Sequence, residues 1–208
     1  MEDKRALIIF TRNPELGKVK TRLAATLGDQ AALDIYTFLL RHTVAITKNV
    51  KADAFVFYSE AIREDDLWPS EIFNKKLQHG TNLGERMKNA FNAIFNLGYQ
   101  SAVIIGSDLF DLNTSEIDEA FTMLRDNDVV IGPAQDGGYY LLGLKKTIPA
   151  LFKDKEWGTD TVLKDTLESA NGATVAQLAL KNDIDYYSDI KDIPELQHLL
   201  PNHLDSTF

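Results

Sequence analysis

The chain has 208 residues, 44% hydrophobic and 25% charged, with no cysteine and a formal net charge of −9. That balance excludes disordered, collagen-like and low-complexity classes, and the missing thiols exclude disulfide frameworks, thiol catalysis and thiolate metal sites. A surface this acidic repels a phosphate backbone, so no nucleic-acid partner is expected.

The charged start, Met1 to Arg5, leads into only five apolar residues, Ala6 to Phe10. A secretory signal needs a longer apolar stretch and a small-residue cleavage site. No run approaches the roughly 18 apolar residues of a membrane span. The expectation is a cytoplasmic protein without membrane insertion.

Short apolar runs then alternate with helix-period segments. Ala6–Phe10, Ala54–Tyr58, Ala102–Gly106 and Val129–Gly132 predict strands, with Lys76–His79 and Gly138–Leu144 added to them. Near-continuous apolar character suits strands covered on both faces, as in a parallel sheet. Between them, Asp29 can cap a helix carrying Leu33, Tyr36, Leu40 and Val44 at three- and four-residue spacing. Leu83–Leu97, a segment from Thr114 and Thr159–Ala170 predict three more helices, and Ile193 to Leu200 is weakly helical. This order predicts one α/β domain over residues 1–208, three layers α/β/α on a mostly parallel mixed sheet.

Ligands of open α/β sheets bind beyond the carboxyl ends of the strands. After the first strand comes Thr11 to Arg22, where Arg12, Lys18, Lys20 and Arg22 stand against the single acid Glu15. Cations with free backbone N–H groups at a helix start suit phosphate; a solvated basic loop is the plainer reading. After Ala102–Gly106 comes Ser107-Asp108-Leu109-Phe110-Asp111. Asp108 is thereby delivered to the rim, where Mg2+ takes one or two carboxylates and completes its shell with water and phosphate oxygens. Asp111 either joins it or caps the helix near Thr114.

After Val129–Gly132 comes Asp136-Gly137-Gly138-Tyr139, a turn that can also present its carboxylate. Asp183 and Asp185 form a later pair, a surface turn unless one joins Asp108 and Asp136. Such a gathering is repulsive without a cation. Trp157, in a loop before a helix, is either packing or a stacking platform for an acceptor. His42, His79, His198 and His203 lack metal-ligand spacing, so zinc is not expected, and no nucleophile elbow occurs.

A strand followed by Lys18-x-Lys20-Thr21-Arg22-Leu23, then Gly106-Ser107-Asp108-x-x-Asp111-Leu112, then Asp136-Gly137-Gly138-Tyr139-Tyr140 resembles a bacterial family of GT-A-fold transferases, often called glycosyltransferases. Some of its members are linked with arsenosugar biosynthesis. More distantly the chain is similar to 2-phospholactate guanylyltransferase and molybdenum-cofactor guanylyltransferase. Gln78-x-Gly80-x-x-Leu83-Gly84-x-Arg86, Trp157-Gly158-Thr159 and the late Asp-Ile-Asp extend the match over about Ala6 to Asp189.

The resemblance implies nucleotide contacts from Thr11, Arg12, Lys18, Lys20, Arg22, Gln78, Gly84 and Arg86. It implies a Mg2+ or Mn2+ ion on Asp108, helped by Asp136, with Asp111 and Asp185 as further candidates. Catalysis would fall to Asp108, Asp136 and Lys20, and the acceptor would meet Gly137, Gly138, Tyr139, Trp157 and Thr159. The family commonly has proline between the two aspartates where this chain has Phe110. The leading expectation is a metal-dependent glycosyltransferase moving a sugar from a nucleoside diphosphate sugar to a small acceptor. The alternatives are a nucleotidyltransferase releasing pyrophosphate and a non-catalytic nucleotide-binding module; a homodimer is compatible with each.

Overall fold

The apolar runs do become strands, and alternate residues of each strand face opposite layers. The computed structural model describes residues 3–201. Its strands β1 (Arg5–Thr11), β2 (Asp53–Tyr58), β3 (Phe73–Leu77), β4 (Ser101–Ile105), β5 (Val129–Pro133), β6 (Tyr139–Leu144) and β7 (Val175–Gln177) form one sheet in the order β3-β2-β1-β4-β6-β5-β7. The helices are α1 (Thr21–Leu27), α2 (Asp29–Thr47), α3 (Leu83–Asn96), α4 (Thr114–Met123) and α5 (Val162–Ser169).

Leu7 and Ile9 of β1 pack with Tyr36 and Leu40 of α2 and with Ile117 and Phe121 of α4. Ala6 and Ile8 face the other way, toward Met87 and Phe91 of α3, with Leu163 and Leu167 of α5 packed on the same cluster. This period-two division produces the expected three-layer α/β/α arrangement. A third cluster joins Leu23 and Leu27 of α1 and Ile35 and Leu39 of α2 to Ile184, Ile190 and Leu196, so the C-terminal segment packs on the first two helices.

Strand β6 is antiparallel to both neighbours, β4 and β5, while every other adjacent pair is parallel. Strands β1, β4 and β5 therefore run the same way and end on one rim. The β5–β6 turn brings Asp136 to the rim that also holds the residues after Thr11 and Ile105.

Several local expectations shift. Strand β3 starts earlier than Lys76 because buried Phe73 pairs with Ala54; as an edge strand it tolerates Asn74, Lys75 and Lys76. Gly28, not Asp29, is the N-cap of α2. Asn113, not Asp111, caps α4, in a capping box with Glu116. Helix α5 begins at Val162, after a turn in which Thr159 Oγ1 donates to the Glu156 carbonyl (2.8 Å). The weakly helical tail is a 3-10 helix, Pro194–Leu199. Among the histidines, His42 Nε2 bonds the Leu112 carbonyl (3.0 Å), and His203 lies outside the described residues.

Candidate functional site

Lys20 occupies the centre of the rim. It is the N-cap of α1 in a left-handed conformation (φ 47°, ψ 47°), unusual for a residue with a side chain. That turn sends its side chain inward, where only 5% of it is exposed. Nζ donates to Asp108 Oδ2 (2.8 Å), to the Ile184 carbonyl (2.5 Å) and to Asp185 Oδ1 (3.2 Å). Burial opposes the charge of this ammonium, but the attraction of Asp108 and Asp185 outweighs it and holds its pKa above the ordinary value.

Asp183 stands on the same rim in the opposite electrostatic situation. Burial, then repulsion from Asp108 and Asp136, pushes its carboxyl up to about 7 despite the pull of Lys20. Asp183 thus feels the carboxylates of Asp108, Asp136 and Asp185 and the buried ammonium of Lys20 together. Among the described residues, no three acidic or histidine side chains stand together as a ready-made metal cage. Magnesium-type sites nevertheless need only one or two carboxylates when substrate oxygens and water complete the shell. The donor set is all oxygen and short of positive charge, which fits Mg2+ or Mn2+ rather than zinc.

The late acids reach the rim by strand pairing. Beyond β7 the chain keeps running beside β5, through an Ala134–Lys181 bridge and the Gln135 N to Lys181 O bond (2.9 Å). Asp183 follows two residues later. Asp189 then fixes the turn, its Oδ2 accepting from the backbone N–H groups of Asp185 (3.0 Å) and Tyr186 (2.7 Å). Burial works against that charge, but these amide bonds win and keep the Asp189 carboxyl below its usual value. Asp185 spends both oxygens on cations, Oδ1 on Lys20 and Oδ2 on Arg22 (3.0 Å). Asp183 is accordingly the freer of the pair to meet a ligand. Asp111 is exposed and offers its backbone carbonyl to Lys181 Nζ (2.8 Å). Phe110, in the place of the family's proline, is anchored against Phe38 and His42.

The cationic excess of the first loop shrinks in the folded state because its own Glu15 and acids distant in sequence close on it. Lys18 pairs with Glu15 (2.7 Å) and approaches Glu60 (3.9 Å), while Lys20 and Arg22 share Asp185. Among the described residues Arg12 makes no ion pair; it is exposed, and its N–H donates to Tyr36 Oη (3.0 Å). Buried Thr11 accepts from Ser107 Oγ (3.3 Å), which lies 3.3 Å from Tyr36 Oη, tying the loop after β1 to the loop after β4.

Asn13 was not singled out by sequence reasoning, yet it is 5% exposed and clamps the next loop. Its Nδ2 donates to the Ala61 carbonyl (2.8 Å), and its Oδ1 accepts from the Glu60 and Ala61 N–H groups (both 3.2 Å). The Asn-Pro pair was the only available signal, a turn mark without a partner. Gln78 donates to the Phe57 carbonyl (2.9 Å) and receives Arg86 (3.4 Å), whose Nε also donates to the Gly80 carbonyl (3.2 Å).

Beside the acids lies a cavity of about 230 Å3 between α3, β6 and the Trp157 loop. Asp136, Gly138, Tyr139, Trp157, Thr159 and Asp183 are among its lining residues. Gly137 stays outside the lining: its positive φ (85°) turns the chain, its carbonyl accepts from Leu163 N–H (2.8 Å), and a Cβ there would collide with the Asp160 backbone. Gly84 also acts through packing. A Cβ at that position would sit 2.5 Å from the Trp157 ring, so the missing side chain lets the indole settle on α3. Trp157 is thus both packed and part of a cavity wall.

Over residues 42–159 the chain matches the family described as uncharacterized protein conserved in bacteria, DUF2064. Among solved structures it is similar to a Desulfovibrio desulfuricans G20 protein given the provisional name nucleotide-diphospho-sugar transferase. The two are 33% identical over 88% of this chain and 82% of that one, with a TM-score of 0.82. Lower likenesses carry the fold alone. The 4-diphosphocytidyl-2C-methyl-D-erythritol synthase of Anaerococcus prevotii DSM 20548 is 12% identical, covering 91% of this chain and 93% of that one at TM-score 0.59. Rv0371c of Mycobacterium tuberculosis H37Rv, solved in complex with manganese, is 11% identical, covering 92% and 98% at TM-score 0.56. No curated protein matches the chain.

Proposed function

The chain belongs to the DUF2064 family, and from that premise and the geometry of the rim we propose that it is a metal-dependent transferase moving a sugar from a nucleoside diphosphate sugar to a small acceptor. The observation that carries this reading is the convergence of Asp108 and Asp185 on the buried ammonium of Lys20, with Asp136 and Asp183 lining the adjoining cavity. So many acids at one ligand rim are hard to explain without a cation to be shared. The provisional name of the Desulfovibrio protein supports the same class of reaction, and the single seven-stranded sheet supports one catalytic domain.

In this reading Asp108 and Asp136 hold the metal, with Asp183 alongside. Bound there, a Mg2+ or Mn2+ ion would offset the charge of the diphosphate as it leaves. Lys20 orients Asp108 through its 2.8 Å contact with Oδ2. Arg12 and Arg22 lie on the flank where phosphates would rest. Gln78 and Arg86 order the loop expected beside the nucleoside. The acceptor hydroxyl oxygen forms a bond to the anomeric carbon as that carbon's bond to the diphosphate oxygen breaks. The hydroxyl proton passes to a carboxylate of the Asp136 region that the metal leaves free, and the nucleoside diphosphate departs. A cytoplasmic location belongs to this proposal; no helix among the described residues is long and apolar enough to cross a membrane.

Nucleotidyl transfer would use the same metal and cations and is the second reading, in line with the name of the Anaerococcus synthase that shares the fold. Nucleoside diphosphate sugars and nucleoside triphosphates incubated with the protein and Mn2+ separate the two. Release of nucleoside diphosphate from a sugar nucleotide is expected; release of pyrophosphate from a triphosphate would overturn the glycosyl reading.

A further inference from the structure

The cavity under Trp157 has walls of one kind and charges of one sign. Phe10, Leu83, Met87, Tyr139, Trp157 and Val162 give it apolar and aromatic surface. Its charged lining is Asp136 and Asp183, and among the described residues no Lys, Arg or His lines it. The cations of the first loop lie outside its lining: Lys18, Lys20 and Arg22 follow β1 and are held by Glu15, Asp108 and Asp185. The charged lining of the cavity is thus acidic, while the cations of the first loop are already paired with carboxylates.

That lining decides what the cavity can take. A phosphate ester placed there meets two carboxylates and hydrocarbon with no lining Lys, Arg or His, and a metal held by Asp136 would already be offset by the diphosphate of the donor. A hydroxyl or amine on an apolar frame buries the frame against the aromatic wall and offers its polar group to the acids. A nucleobase would need an edge of matched donors and acceptors. The Tyr140 and Thr159 hydroxyls, however, already donate to the Ala179 (3.0 Å) and Glu156 (2.8 Å) carbonyls. The volume of about 230 Å3 lies below the roughly 300–1,000 Å3 of drug-sized pockets, which limits the occupant to about one ring with a short substituent.

We infer that this cavity is the acceptor site and that it selects a compact hydroxyl compound, neutral or cationic, that carries no phosphate. The inference rests on the transferase reading and deepens it by naming the class of acceptor.

The test is a matched series on one ring, benzyl alcohol, benzylamine and phenyl phosphate, titrated into the full chain by ligand-observed NMR, alone and with UDP or GDP plus Mn2+. Benzyl alcohol and benzylamine are expected to bind saturably, and phenyl phosphate at least ~10-fold more weakly. Leu83→Trp, at a position 44% exposed and therefore tolerant of substitution, is expected to block both. Thr159→Arg, which adds a cation to the lining, is expected to raise phenyl phosphate binding. Phenyl phosphate binding as tightly as benzyl alcohol, no ring compound binding, or displacement of benzyl alcohol by uridine or guanosine would each overturn the inference. Calorimetry of UDP and GDP with Mn2+ on the same sample keeps the two claims apart. If no nucleotide binds, the transferase reading fails; if nucleotide binds and the ring selectivity is reversed, only the acceptor class fails.

Discussion

Nζ of Lys20 lies 2.8 Å from Oδ2 of Asp108, across 88 residues of sequence, and the contact joins the loop after β1 to the loop after β4. The pairing is asymmetric: the Lys20 side chain is 5% exposed, that of Asp108 42%. The ammonium therefore serves as a buried support, and the carboxylate keeps one side open to a ligand.

Replacing that support leaves Asp108 and Asp185 without their shared cation. Lys20→Met is expected to lower stability by about 1–3 kcal/mol, less than a fully buried pair would lose because both acids are partly solvated. Urea denaturation of the two proteins at neutral pH measures it. An unchanged midpoint would mean that the contact carries no net stability.

Asp108→Asn keeps the shape of the side chain and removes its charge. Mn2+-dependent nucleotide binding is expected to weaken by at least the roughly 10–100-fold that follows loss of even an outer-shell partner of a metal ligand. Calorimetry that finds the variant binding manganese and nucleotide like the parent would remove Asp108 from the site.

Asp183 gives the protein a pH response. Its folded pKa, about 7, lies above the ordinary value of 3.8, so between those values the folded state holds a proton that the unfolded state has released. Stability is then greatest at the acid end of this window and falls as pH rises through it, levelling above pH ~7. Asp189, held below its usual value, pulls the other way, but only at lower pH. Thermal melting of the metal-free protein from pH 5 to 8 should show the decline, and Asp183→Asn should flatten it. A profile unaltered by the substitution would refute the assignment.

Gly84→Ala tests whether the cavity wall depends on a missing side chain. Alanine favours an exposed helix by roughly 0.5–1 kcal/mol over glycine, yet here its Cβ would stand 2.5 Å from the Trp157 ring and 2.6 Å from the Phe152 carbonyl. Overpacking of this kind costs typically ~1–3 kcal/mol, so a net loss is expected, together with a shift in Trp157 fluorescence. A more stable variant with unchanged emission would contradict the packing described.

Asn13→Ala removes three hydrogen bonds between the loops after β1 and β2. Glu60 and Ala61 are themselves exposed and water can reach their freed groups, so the loss is expected to be about 0.5–1.5 kcal/mol. Hydrogen exchange should report faster loss of protection at those two amides; unchanged protection would show that another group satisfies them.

Much of this could be read from the chain order of residue types. The apolar runs from Ala6, Ala54, Ala102 and Val129 gave strands buried on both faces, and the periodic segments from Asp29, Leu83 and Thr114 gave the helices that cover them. Asp108 was legible as a carboxylate at a strand's carboxyl end, and Asp136 as part of the turn that follows β5. The edge strand was less legible because Asn74, Lys75 and Lys76 dilute its pattern. The role of Gly84 was not legible, since the Trp157 ring that requires it comes 73 positions later.

Sequence by itself determined the alternation of elements, because burial on one face or two leaves a periodic mark in consecutive residues. It also determined which chemical groups each loop could offer. Only the tertiary structure decided how those groups divide the work: that Lys20 turns inward to hold acids, that Asp185 is spent on Lys20 and Arg22, and that Asp183 is left facing the cavity. Those outcomes depend on distances between stretches brought together by strand pairing, and electrostatic interaction follows distance and burial rather than position along the chain.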